Sequence, residues 1–159
     1  MEALLIIDLQ EGYIGDRRGE HNFDSVLEHI NYVAPMFRKA GKPVIVIRDI
    51  GEGDGPLYCN VKELKLVAGD LEVLKLENNS FWETDLDQLL KKLEVNFLVL
   101  CGYAAEYCVT ATYFGANERG YKAAMLQNGV LAASKEGLAS LNKNRPLISH
   151  SAIDYLLSK

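Results

Sequence analysis

The sequence has few of the residues that mark zinc-binding, disulfide-bonded or membrane-spanning proteins. Its 159 residues include three cysteines and three histidines, with no Cys-x-x-Cys pair and no zinc-site spacing. No apolar run approaches the roughly 20 residues that a membrane-spanning helix needs. The net charge is −5 and no basic stripe is present, which argues against a nucleic-acid partner.

The start of the chain, MEALLIIDLQ, lacks the basic region and the cleavage site of a secretory signal. Hydrophobic residues make up 48% and charged residues 25%, which is ordinary for a soluble globular protein. We therefore predict one domain over residues 1–159, located in the cytoplasm with reduced thiols and without contact to a membrane.

Short apolar runs alternate along the chain with amphipathic stretches. This alternation predicts an α/β fold in which a mainly parallel, six-stranded Rossmann-like sheet lies between helices, a three-layer α/β/α arrangement. The fifth strand is predicted to end at an Asn-Gly turn at 128–129. The predicted strands are 3–7, 43–49, 71–76, 96–102, 121–127 and 146–150, and the predicted helices are 23–41, 84–93, 105–120, 134–144 and 151–159.

Ligands of parallel α/β sheets bind beyond the carboxyl ends of the strands. The residues that follow the predicted strands are therefore candidates for a site. They are Asp8, Asp49, Lys75, Tyr103 to Cys108, and Asn128.

Three of these candidates suit nucleophilic catalysis, although each also has a structural interpretation. Asp8 follows five apolar residues and is either a general base or the cap of a turn. Lys75, within VLKL, either points into the crevice beside a carboxylate such as Asp8 or lies on the surface of an edge strand. Cys108, near a helix N-terminus, is either an activated thiolate or a packing residue.

Together the three side chains form a consistent nucleophilic site. Asp8 would take the thiol proton, Lys75 would keep Asp8 ionised, and Cys108 would attack an electrophilic carbon while helix-terminal amides hold the oxyanion. Cys101 and Cys59 are interpreted as structural cysteines. Nearby Glu106 either hydrogen-bonds a ligand or stabilises the first helical turn.

Three segments that carry these residues resemble the isochorismatase-like cysteine hydrolases, a family that includes nicotinamidases and carbamoyl-amide hydrolases. LLIIDLQEGYI (4–14) has the aspartate, the glutamine and an aromatic residue. LKLENNSFWETDL (74–86) has the lysine, followed at the family's spacing by phenylalanine, threonine and leucine. LVLCGYAAEYCVTATYFGANERGYK (98–122) has a glycine, small residues and Cys-Val. The segments occur in the family's order and span nearly the whole chain.

The resemblance implies a hydrolase that acts on a small amide or a related C–N bond. It implies a covalent acyl-enzyme on Cys108, with Asp8 as the base and Lys75 as the electrostatic partner. It further implies that the backbone amides of Ala104 and Cys108 form the oxyanion hole, next to a cis peptide between Tyr103 and Ala104.

The resemblance also implies what surrounds the reacting groups. The substrate would be a small amide-like molecule, and the protein would associate as a dimer or tetramer. The size of the pocket would depend on the loops over residues 51–70, and whether these form a lid stays open. The substrate-binding side chains would be Tyr13, Trp82, Tyr103 and Tyr107.

Metal-dependent members of the family carry Asp-x-His just after the second strand. Here Asp49 begins the stretch DIGEGDGPLYCN, which contains no histidine, and His21, His29 and His150 are scattered. We therefore predict no catalytic metal and no other cofactor. Two alternatives stay open: a catalytically disabled member that acts as a binding or scaffold protein, and a nucleotide- or flavin-binding domain of similar topology.

Overall fold

A computed structural model describes residues 1–20, 22–51, 53 and 55–159. Six strands and six helices are described within those ranges. The strands are β1 (Glu2–Ile7), β2 (Val44–Asp49), β3 (Leu71–Lys75), β4 (Phe97–Gly102), β5 (Lys122–Val130) and β6 (Leu147–Ile148). The helices are α1 (Glu11–Ile14), α2 (Phe23–Lys39), α3 (Leu86–Lys92), α4 (Cys108–Glu118), α5 (Lys135–Asn144) and α6 (His150–Leu157).

The six strands form one sheet in the order β3-β2-β1-β4-β5-β6, and every pairing is parallel. The central strands β1 and β4 are apolar at nearly every position because helices cover both of their faces. One core cluster joins the sheet to α2 and α6, and the other joins it to α3, α4 and Leu141 of α5. The predicted three-layer α/β/α fold is confirmed.

The carboxyl ends of β1 and β4 approach each other very closely. Gly102 ends β4 with φ at +114°, a conformation that glycine adopts readily. A Cβ atom at this position would lie 2.7 Å from the backbone nitrogen of Ile7, so a larger residue would push the strands apart. This close approach brings the turn after β4 beside the residue that follows β1, which is Asp8.

The structure departs from the predicted elements at two points that concern the site. Helix α4 begins at Cys108 and not at 105, so the thiol lies in the first turn of the helix. The predicted Asn-Gly turn is wrong, because β5 continues to Val130 and Asn128, with φ at +60°, lies at a register shift against β4. Asn128 lines a separate depression beside Asn22 and Ser25, so its prediction as a crevice residue is also wrong.

The four-residue helix α1 follows β1 directly and was not predicted, because one turn is too short to show a helical period. Within the described ranges, no helix is both long and apolar enough to cross a membrane.

Candidate active site

Charged side chains at the carboxyl ends of the adjacent strands β1, β2 and β3 meet beside Cys108, the first residue of α4. The Lys75 Nζ atom lies 2.9 Å from Asp8 Oδ2 and 2.9 Å from Asp49 Oδ2. The same nitrogen donates to the Cys108 sulfur at 3.5 Å. The structure thus brings together the three side chains predicted as catalytic, and it adds Asp49 to them.

Lys75 is buried because the sheet supplies it with partners. It is paired in register with Asp49 on the neighbouring strand, and its side chain is shielded from solvent. Burial alone would lower the pKa of Lys75, but Asp8, the Cys108 sulfur and Asp49 outweigh it and raise the pKa above its usual value. The side chain is therefore an ammonium ion at neutral pH, and the surface alternative for Lys75 does not apply.

Asp8 begins the turn after β1, with φ at +50°, a left-handed conformation that aspartate adopts more readily than most residues. Its side chain is buried, and among the described residues neither carboxylate oxygen receives a well-directed hydrogen bond. Burial raises the pKa of Asp8, and the Lys75 ammonium opposes that rise. A buried carboxylate with open acceptor positions is suited to receive a proton.

Cys108 is half-buried and its sulfur donates to Asn78 Oδ1 at 3.4 Å. Burial, followed by the charge of Asp8, raises the pKa of the thiol to about 12, although Lys75 acts in the opposite direction. The helix N-terminus and Lys75 favour the thiolate, whereas burial and the charge of Asp8 oppose it. A nearby base would therefore assist the attack of the sulfur on a carbon.

The other two cysteines differ from Cys108 in their surroundings. Cys101 is completely buried, donates to the Leu5 carbonyl oxygen at 3.3 Å and has a pKa raised by that burial. Cys59 is exposed on the loop after β2. Neither lines the cleft that contains Cys108.

Two backbone amides beside the thiol are available to a ligand. The predicted cis peptide between Tyr103 and Ala104 is present. The amides of Ala105, Tyr107 and Val109 all donate to backbone carbonyls, whereas in the described chain those of Ala104 and Cys108 do not. Donors of this kind can stabilise an oxyanion at the carbon that the sulfur attacks.

The site opens into a cleft of about 220 Å³. Three of the four aromatic residues predicted to bind substrate line it. Trp82 does not line the cleft, and its side chain is 55% exposed outside it. The structure therefore does not bring Trp82 to the site of this chain. The lining residues are Asp8, Tyr13, Asp49, Asn78, Tyr103, Ala104, Tyr107 and Cys108.

Two further polar side chains, buried Gln10 and partly exposed Glu106, hold strand and loop ends in place. Gln10 donates to the Asp49 carbonyl oxygen at 2.9 Å and accepts from the Asp49 amide at 2.8 Å, which joins the ends of β1 and β2. Glu106 accepts from the amides of Ala133 and Ser134 at 2.9 and 2.8 Å, next to the start of α5. Glu106 precedes α4, which begins at Cys108, and it does not line the cleft, so its carboxylate binds the turn before α5 in this structure.

The arrangement does not fit a catalytic metal ion. Ligand atoms of Asp8, Asp49 and Cys108 lie within 4.8 Å of one another, but the Lys75 ammonium already lies between them. His29 and His150 contact each other on α2 and α6, with ring centroids 5.5 Å apart, and do not line the cleft. His21 lies outside the described residues.

Comparisons with known proteins show similarity in both sequence and fold. A family model described as an isochorismatase domain matches residues 2–145. An uncharacterized isochorismatase family protein of Escherichia coli O157:H7 is 30% identical, over 84% of this chain and 81% of its own length. A streptothricin hydrolase of Streptomyces noursei is 30% identical over 77% of this chain and 51% of its own.

Among solved structures, N-carbamoylsarcosine amidase from Thermoplasma acidophilum superimposes with a TM-score of 0.80. The alignment covers 93% of this chain and 94% of that one at 21% identity, and so shows a shared fold.

Proposed function

Because the chain belongs to the isochorismatase family of hydrolases, we propose that it hydrolyses a small amide or related C–N bond through an acyl-enzyme on Cys108. The observation that carries this proposal is the meeting of Cys108, Asp8 and Lys75 at one end of the cleft. Among the similar proteins, the name of a streptothricin hydrolase supports hydrolysis, and the name of an N-carbamoylsarcosine amidase supports the choice of an amide bond.

In the first half-reaction the Cys108 sulfur attacks the carbonyl carbon of the substrate. The thiol proton passes to Asp8, whose carboxylate oxygen lies within 4.8 Å of the sulfur. The amides of Ala104 and Cys108 bind the carbonyl oxygen as it becomes negative. The C–N bond then breaks, the leaving nitrogen takes the proton from Asp8, and a thioester remains on the sulfur.

In the second half-reaction a water molecule attacks the thioester. Asp8 removes a proton from the water, and the same two amides again bind the developing oxyanion. The C–S bond breaks, the acid product leaves, and the proton returns to the sulfur. Lys75 keeps its positive charge throughout and stabilises Asp8 whenever that residue is ionised.

An ammonia-release screen over small amides, ureides and carbamoyl compounds tests the proposal. We expect the wild-type protein to release ammonia from at least one of them and Cys108→Ser to release none. Cys59→Ser is the matched control and should behave as wild type, because that thiol is exposed and outside the cleft. Ammonia release that survives in Cys108→Ser would reject the mechanism, and its absence from wild type across the whole screen would favour the disabled binding protein.

A further inference from the structure

The reacting groups carry one negative charge that nothing within the cluster neutralises. Two carboxylates, Asp8 and Asp49, share the single ammonium of Lys75 at 2.9 Å each. Cys108 offsets none of this charge, because its side chain is neutral as a thiol and negative as a thiolate. Movement of the thiol proton from the sulfur to Asp8 only relocates the charge, so the cluster remains at −1 during the reaction.

The described residues that line the cleft supply no cationic side chain to balance this charge. The guanidinium of Arg17 lies 5.9 Å from the ring centroid of Tyr103, which lines the cleft. It pairs with Glu20 at 2.8 Å and donates to the Ala132 carbonyl oxygen at 2.6 Å. The positive charge of Arg17 is therefore already compensated by contacts within this chain.

The N-terminus of α4 offsets only part of the negative charge. A helix N-terminus corresponds to about half a positive elementary charge. This half charge is smaller than the net charge of −1 on Asp8, Asp49 and Lys75 together, so the cleft stays negative. The free amides of Ala104 and Cys108 act at the oxyanion position, and not on groups elsewhere in the cleft.

The aromatic walls favour the same sign of ligand. Tyr13, Tyr103 and Tyr107 line the cleft, and the faces of aromatic rings attract cations. The pKa of the Tyr13 phenol reflects the negative charge of the cleft. Burial, and then the charges of Asp49 and Asp8, raise its pKa to about 12, because a phenolate there would be repelled.

We propose that Asp49 sets the charge that the substrate can carry, so that this site accepts neutral or cationic amides and excludes amides with a carboxylate beside the scissile bond. Asp49 fits this role because it lines the cleft and adds the second negative charge to an ion pair that Asp8 and Lys75 already complete. This inference rests on the proposed hydrolysis at Cys108 only in taking the ligand to be an amide. The negative charge of the cleft does not depend on whether the protein is catalytically active.

Charged thiol reagents test the inference independently of catalysis. Cys59→Ser leaves Cys108 as the accessible thiol, since Cys101 is completely buried. Aminoethyl and sulfonatoethyl methanethiosulfonate deliver a cationic and an anionic group respectively to a thiol, and N-acetylcysteinamide is the uncharged reference. We expect the ratio of the cationic to the anionic rate at Cys108 to exceed the reference ratio by about tenfold or more at low salt. It should fall as salt screens the field.

Asp49→Asn in the same background should bring that ratio close to the reference, because the cluster then becomes neutral. The wild-type ratio decides the question even if this variant does not fold. A ratio at or below the reference would overturn the inference while leaving the proposed hydrolysis intact. In the ammonia-release screen, amides with a carboxylate near the scissile bond should be poorer substrates than their neutral analogues, such as ureidoacetate against ethylurea. Faster turnover of the carboxylate analogue would likewise overturn it.

Discussion

Lys75 and Asp49 are register partners at the ends of β3 and β2, and the lysine nitrogen lies 2.9 Å from the aspartate oxygen. Asp8, after β1, contacts the same nitrogen at the same distance. One ammonium ion thus pairs with two buried carboxylates beside the Cys108 thiol.

Asp8→Asn tests the role of the base. The amide keeps the size of the side chain but cannot accept the thiol proton, so ammonia release should fall by about 10²–10⁴-fold. Steady-state kinetics with a substrate from the screen measures the change. Asp24→Asn, which alters an exposed carboxylate on α2, is the control and should be unaffected. An Asp8→Asn variant with wild-type activity would remove Asp8 from the mechanism.

Asp49→Asn tests the coupling between the two carboxylates. Catalysis needs ionised Asp8, so kcat/KM should decline as the pH falls through the pKa of Asp8, which burial raises above the usual 3.8. The charge of Asp49 also raises this pKa, so its removal should move the acidic limb of the profile to lower pH. A limb that stays in place or moves to higher pH would show that Asp49 does not act on Asp8.

Lys75→Met tests whether the ammonium stabilises the fold as well as the reaction. The variant leaves Asp8 and Asp49 buried without a cation, and the free energy of unfolding should fall by about 3–5 kcal/mol at neutral pH. Burial already raises the pKa of Asp8, and loss of the opposing ammonium raises it further in the folded state. The loss should therefore be smaller in acid and grow as the pH rises through that pKa.

Urea denaturation measures that change, with Lys91→Met as the control. Lys91 is exposed and paired with Asp87 one helical turn away, so its loss should cost about 0.5 kcal/mol or less. Equal stabilities of Lys75→Met and Lys91→Met would contradict the shared ion pair.

Gly137→Ala tests the contact between α5 and Glu106, which lies just before α4. Alanine favours a helix over glycine by about 1 kcal/mol, but here its Cβ would overlap the Glu106 carboxylate. Since that carboxylate binds the amides of Ala133 and Ser134, the variant should be destabilised by about 1–3 kcal/mol in thermal unfolding. Gly69→Ala has open space around its Cβ and should change little. Stabilisation by Gly137→Ala would show that Glu106 moves aside without loss.

The sequence was sufficient to predict the layers, the strands and the three meeting side chains. Apolar runs that end abruptly at Asp8 or Lys75 are informative because parallel strands place their carboxyl ends at one edge of the sheet. The short interruption at Asn128 was misinterpreted, since an Asn-Gly pair is compatible with either a turn or a shift of register within a strand.

Other features of the site could not be predicted, because they depend on contacts between segments that lie far apart in the sequence. The partnership of Asp49 with Lys75 follows from the register of β2 against β3, and the partners of Glu106 lie 27 and 28 residues away. The direction of Trp82 depends on the path of the segment after β3. The raised pKa of Cys108 reflects burial and nearby charge, which a helix position alone does not reveal. The cytoplasmic location and the dimeric or tetrameric state stay predictions.

Acyl transfer to the thiol is the most direct test of the central claim. With 4-nitrophenyl acetate, the protein should release a burst of 4-nitrophenolate of about one equivalent per chain, as expected for a covalent intermediate. Peptide mass spectrometry of the quenched reaction should locate the acetyl group on Cys108, and Asp8→Asn should slow the burst. An acetyl group found only on other residues, or a burst of equal size in Cys108→Ser, would contradict the account.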